Sequence, residues 1–167
     1  LLFGKSNPSG KLAVSFPWPE GQIPDYYSHA NAGRPIGQGV RQFDDEYESF
    51  YLDVPNTPLF PFGFGLSYSQ FDYSDLRVET PSVGVDGTLV ASATLTNVGK
   101  VAGEETVQLY VRDLFGSVTR PVKELKGFQK VTLQPSESRT VRFEIPVSTL
   151  GFIGLDLKYT VEPGDFK

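Results

Sequence analysis

Leu89-Val90-Ala91-Ser92-Ala93-Thr94-Leu95-Thr96 sets Leu89, Ala91, Ala93 and Leu95 on one face of an extended strand, and Asn97-Val98-Gly99 then marks a turn. The same period of two returns downstream. Val107, Leu109 and Val111 fall inward against outward Gln108, Tyr110 and Arg112, and Val141, Phe143 and Ile145 oppose Arg142 and Glu144. Further strands are expected over Asp72–Glu79, Val122–Leu133 and Lys158–Val161. No helical period interrupts them.

Six or seven short strands in about 100 residues, separated by turn signals, predict an all-β domain. The expected fold class is an immunoglobulin-like or fibronectin type III-like β-sandwich over 71–167.

Upstream the pattern is different. Lys11-Leu12-Ala13-Val14-Ser15-Phe16 alternates over one short strand and stops at Pro17-Trp18-Pro19, which cannot continue a central strand. Residues 17–58 then hold no sustained period, being broken by Pro24, Pro35, Pro55 and Pro58 and by Gly21, Gly33, Gly37 and Gly39. So long an irregular stretch is expected to wrap another surface. Tyr26, Tyr27, Phe43, Tyr47, Phe50 and Tyr51 would supply large contact areas for that surface, with hydroxyls for a wet rim.

Leu59-Phe60-Pro61-Phe62-Gly63-Phe64-Gly65-Leu66-Ser67-Tyr68 closes the irregular part. It crowds Phe side chains between residues that fix or free the backbone, so it reads as a packed junction, whereas a solvated linker would be rich in Ser, Gly or charge. The expected interdomain packing set is Trp18, Tyr26, Tyr27, Phe60, Phe62, Phe64 and Tyr68.

With 167 residues there is room for one domain of about 100 and an appendage. A net charge of -5 argues against nucleic acid and anionic membrane surfaces, which need clustered Lys and Arg. No apolar run approaches the 18 or so residues of a membrane span. The absence of Cys excludes disulfides, thiolate catalysis and Cys-bound metals. A chain without Met that opens Leu1-Leu2-Phe3-Gly4-Lys5 is expected to begin inside a domain, and Tyr159 to Lys167 to stop before a last strand is complete.

Few residues offer chemistry. Asp44-Asp45-Glu46 with Glu48 could serve as paired carboxylates, but adjacent acids point apart, and the reading favoured is a solvated turn or an interdomain salt link. His29 is the only histidine and has no second ligand for a metal, nor does neighbouring Ser28 supply a triad's geometry. It reads as part of a structural loop; the functional alternative is a loop edging a neighbouring domain's pocket, in which Arg34 pairs with a carboxylate. Trp18, Tyr26 and Tyr27 read as interdomain packing, with a sugar-stacking platform as alternative. The Gly-rich pieces lack the Lys and following helix of a phosphate loop. No catalytic residue, no cofactor and no metal site is assigned.

Taken in order, Asn7-Pro8-Ser9-Gly10-Lys11-Leu12, Phe16-Pro17, Gly21-Gln22-Ile23-Pro24, Tyr26-Tyr27, Gly33-Arg34-Pro35, Pro61 to Tyr68 and Glu162-Pro163-Gly164 resemble the C-terminal end of glycoside hydrolase family 3. The nearest likeness within it is to periplasmic bacterial β-glucosidases with a fibronectin type III-like third domain. This resemblance implies that residues 1–16 are the tail of the α/β domain, 17–70 an interdomain wrap, and 71–167 most of the third domain. It implies a parent that hydrolyses terminal β-D-glycosidic bonds with retention, periplasmic or secreted. The Asp nucleophile would sit in an upstream TIM-like barrel and the Glu acid/base in the upstream α/β domain. Those domains are the implied partners; an oligosaccharide or aryl β-glycoside is substrate for the parent only, and a homodimer is admitted. Where relatives carry Asn and Lys this chain has Ser28 and Ala30. The expected function is therefore a noncatalytic brace for catalytic domains, against an independent carbohydrate-binding or adhesion module.

Overall fold

The computed structural model describes residues 1–30 and 50–167. Strands β1 (Phe71–Val78), β2 (Thr88–Asn97) and β5 (Ser138–Pro146) form one antiparallel sheet in the order β1-β2-β5. Strands β3 (Gly103–Val111) and β4 (Glu124–Leu133) form a second sheet, and β6 (Phe152–Ile153) with β7 (Tyr159–Thr160) a short hairpin.

Alternation explains the core. Leu95 of β2 with Val141, Phe143 and Ile145 of β5 meets Val107 and Val111 of β3 and Val131 and Leu133 of β4, and Leu150 closes one end. Leu95 and Leu133 are completely buried. The turn after β2 is held by the equally buried Asn97. Its Nδ2 donates to the carbonyls of Val101 and Leu133 (2.9 and 3.1 Å), while its Oδ1 accepts from the Ser69 hydroxyl and the Gly99 N–H. A buried amide so fully paired fixes one turn geometry, because any alternative would leave donors unmet.

The sandwich expected from the sequence is thus present, with three differences. Lys11–Phe16 forms no strand: only Phe16 bridges, to Phe60, while Leu12 exchanges single bonds with Gly63 and Phe64. Pro61 has no N–H to donate, and Gly63 at φ +80° turns the partner segment out of ladder geometry. β4 starts at Glu124, two residues later than expected, because the N–H of Val122 is taken by the carbonyl of His29 (2.9 Å). Finally, Gln108 and Tyr110 do point outward from β3, yet residues of the N-terminal extension cover them.

Candidate functional site: an aromatic seam and its exposed face

The extension is pinned along β3 by a ladder of side chains. Asn7 Nδ2 donates to the carbonyl of Ala102 (3.1 Å), and its Oδ1 accepts from the Ser67 hydroxyl (3.0 Å) and the Tyr68 N–H (2.8 Å). The Ser9 hydroxyl donates to Glu104 (3.0 Å), and Lys11 pairs with Glu105 at 3.0 Å with both side chains largely shielded. Glu104 is held below the usual carboxylate range chiefly by the ammonium of Lys130 and then by Ser9.

Above this ladder lies an aromatic seam. Tyr27 stacks on Phe62 with ring centroids 4.1 Å apart and planes 20° off parallel, and both meet Tyr110 edge-on, at 5.8 and 6.5 Å. The Tyr27 hydroxyl accepts from the N–H of Leu125 (3.2 Å), so one side chain joins extension and sandwich by both packing and hydrogen bonding. Burial, with Tyr27 alongside, raises the pKa of the Tyr110 phenol, which donates to Gln108 Oε1. Gln108 Nε2 in turn donates to the carbonyl of Gly63 (3.2 Å). A Cβ at Gly63 would meet both Gln108 and Tyr110, so the close approach and the left-handed φ together require glycine there.

The other predicted packing residues take a different position. Phe60 touches Phe64 at 5.2 Å and Phe16 at 6.5 Å, forming a second cluster outside the seam. Phe16 and Phe60 remain 48% and 41% exposed, and Trp18, Tyr26 and Tyr68 more than half. Tyr68 does donate its hydroxyl to the carbonyl of Leu1 (2.8 Å).

Gln22 organises the base of this face. Its side chain is 1% exposed; Oε1 accepts from the Trp18 N–H (2.8 Å) and Nε2 donates to the carbonyls of Pro55 and Thr57 (2.9 and 3.2 Å). The Tyr51 hydroxyl donates to the Gln22 carbonyl. In the sequence Gln22 and Asn7 are no more than parts of motifs, since sequence alone does not say which polar residue is buried, as Gln22 is, or which carbonyls and hydroxyls it will meet, as for Asn7.

His29 is exposed, its Nδ1 3.0 Å from the carbonyl of Ala30. Close by, Asp25 has a buried Oδ2 without a hydrogen-bond partner among the described residues, and burial lifts its pKa although His29 pulls it down. Arg34, Phe43, Asp44-Asp45-Glu46, Tyr47 and Glu48 lie outside the described residues. What the arrangement offers chemically is a contact surface: exposed rings on a scaffold locked to a sandwich.

Residues 1–68 match the model of the glycosyl hydrolase family 3 C-terminal domain, and residues 105–167 that of the fibronectin type III-like domain. The chain belongs to the C-terminal region of glycoside hydrolase family 3. Among its family 3 relatives, a periplasmic beta-glucosidase of Salmonella typhimurium is 48% identical over 166 residues, and a beta-xylosidase of Formosa agariphila 44%. A solved beta-glucosidase from Listeria innocua in complex with glucose superposes with a TM-score of 0.88 at 44% identity. In each case 99% of this chain is covered, but only 21%, 22% and 23% of the relative. The chain thus spans about a fifth of the length of the family 3 proteins it matches. The seam joins the two matched regions, with Tyr27 and Phe62 from the first and Tyr110 from the second.

Proposed function

We propose that this region is a noncatalytic brace of a β-glucosidase-type enzyme that cleaves terminal β-D-glycosidic bonds with retention. Residues 1–16 are the tail of an α/β domain, 17–70 the interdomain wrap and 71–167 the fibronectin type III-like body, seated against an upstream TIM-like barrel and α/β domain. The observation that carries this reading is the division of labour among the aromatics. Tyr27 and Phe62 lock the extension to the sandwich, while Phe16, Trp18, Phe60 and Tyr68 turn a common apolar character to the outside. Exposed rings on a rigid base are suited to a packed interface.

Retention requires two carboxyl groups about 5 Å apart. Held on separate upstream domains, they depend on whatever fixes the spacing of those domains, because small misplacements slow catalysis severely. His29 reads as part of a structural loop, with a loop edging the parent's pocket as the alternative. Likeness to a periplasmic relative supports a periplasmic or secreted location.

Phe60→Ala with Tyr68→Ala in the whole enzyme tests the reading: melting temperature and turnover fall while the pH profile keeps its shape. Unchanged melting and rate reject it. The half-exposed Trp18 and Tyr26 favour a second reading, a glycan-binding surface. Retention of this chain on insoluble glucan would support that alternative.

A further inference from the structure

The first matched region ends at Tyr68, and β1 begins at Phe71. Ser67-Tyr68-Ser69-Gln70, between extension and sandwich, has the polar composition of a flexible hinge, the default at a domain boundary. Yet each of its residues is tied. The Ser67 hydroxyl donates to Asn7 Oδ1 (3.0 Å) and accepts from the Ser69 N–H (3.1 Å), and the Tyr68 N–H also donates to Asn7 Oδ1 (2.8 Å). The Ser69 hydroxyl donates to Asn97 Oδ1 (2.6 Å), and the Gln70 carbonyl accepts from the N–H groups of Val98 and Gly99 (2.9 and 3.2 Å). Asn97, completely buried, passes the chain of bonds on to the carbonyl of Leu133 in β4. A single polar relay therefore runs from Asn7 through Ser67, Ser69 and Asn97 into the sandwich.

We propose, resting on the bracing role above, that Asn7 is a positioning residue for the reaction of the whole enzyme. Through this relay it makes the connector a rigid joint, so that the sandwich holds the tail of the preceding α/β domain in one orientation. The two ends of its amide act on different elements: Oδ1 gathers the connector, while Nδ2 donates to the carbonyl of Ala102, just ahead of β3 (3.1 Å). Only an amide combines donor and acceptor in this way on so short a stem. β3 opens on Gly103, where a Cβ would stand 2.6 Å from Asn7 Nδ2, so the strand leaves the amide its place. Since the groups of the relay are one another's partners, loss of the amide leaves donors unmet on both sides and frees the connector. Groups held on such a support keep their alignment, and a misplacement of about 1 Å slows a reaction about 100-fold.

The test has two arms. In the whole enzyme, assayed far below its melting temperature, Asn7→Ala lowers kcat about tenfold or more and leaves KM within about twofold. Ser67→Ala removes one link only and gives the same split at about threefold, which keeps the test open if Asn7→Ala fails to fold. The 167-residue chain has no Cys, so spin labels go cleanly onto Val14→Cys and Thr140→Cys, both exposed positions. Double electron–electron resonance then gives one narrow distance distribution, whose width about doubles when Asn7→Ala or Ser67→Ala is added. A lowered melting temperature with kcat unchanged below it means that the relay only stabilises, and overturns the proposal. So does a distribution already broad with Asn7 in place, or one left narrow by both substitutions. If Phe60→Ala with Tyr68→Ala slows the enzyme while both relay variants do not, the joint is rejected and the brace stands.

Discussion

Tyr27 lies flat on Phe62, 4.1 Å between ring centroids, while its hydroxyl accepts the N–H of Leu125 at the start of β4. This single side chain connects the matched N-terminal region to the sandwich. Tyr27→Ala should lower the stability of the chain by about 2 kcal/mol, from lost packing and an unmet N–H. Tyr27→Phe keeps the stack and should lose only about 1 kcal/mol. Urea denaturation followed by circular dichroism separates the two; equal losses would mean that the stack contributes nothing.

Leu95 of β2 and Phe143 of β5 point from one sheet into the core against β3 and β4, one completely buried and the other nearly so. Replacing either by Ala should reduce stability by about 2–5 kcal/mol. A measured loss below about 1 kcal/mol would contradict the facing of β2 and β5.

Gln22→Leu keeps the volume of a buried side chain and removes its three hydrogen bonds. Leaving those backbone groups unpaired should cost about 1–3 kcal/mol and loosen residues 18–22 from 51–57. Trp18 is the only tryptophan, so its fluorescence reports the change directly. An unaltered spectrum and unaltered proteolysis near Pro55 would show that the knot is dispensable.

Asp25 titrates the opposite way from most carboxylates in a folded protein. Its pKa is raised by burial, so its contribution to stability is fully present below the ordinary aspartate range and is lost as pH rises through the raised value. Asp25→Asn should therefore be the more stable form at neutral pH, with the difference vanishing on acidification. Denaturation midpoints across acid to neutral pH check this; a gap that widens toward acid would refute the sign.

The sandwich was legible because Leu95, Val107, Val141 and Phe143 obey strict alternation, and the packing set because Phe and Tyr cluster about Pro and Gly. Which of those rings face inward was not legible. Tyr27 and Phe62 pack inward because Tyr110, some 50 residues away from Phe62 in the chain, presents an outward ring to them, and no local period encodes that meeting. The Lys11–Phe16 segment read as a strand because its side chains alternate; its partner's Pro61 and Gly63 decided otherwise. The burial of Gln22 is not legible in the sequence, because it depends on carbonyls that tertiary structure brings to it.

The bracing role is tested most directly by hydroxyl-radical footprinting of Phe16, Trp18, Phe60 and Tyr68 in this chain and in the whole enzyme, with exposed Phe115 and Leu155 as internal references. If these rings seat against upstream domains, their oxidation falls about fivefold or more in the whole enzyme, as a packed interface excludes water, and the references stay unchanged. Equal oxidation of the four rings in both forms would contradict the account.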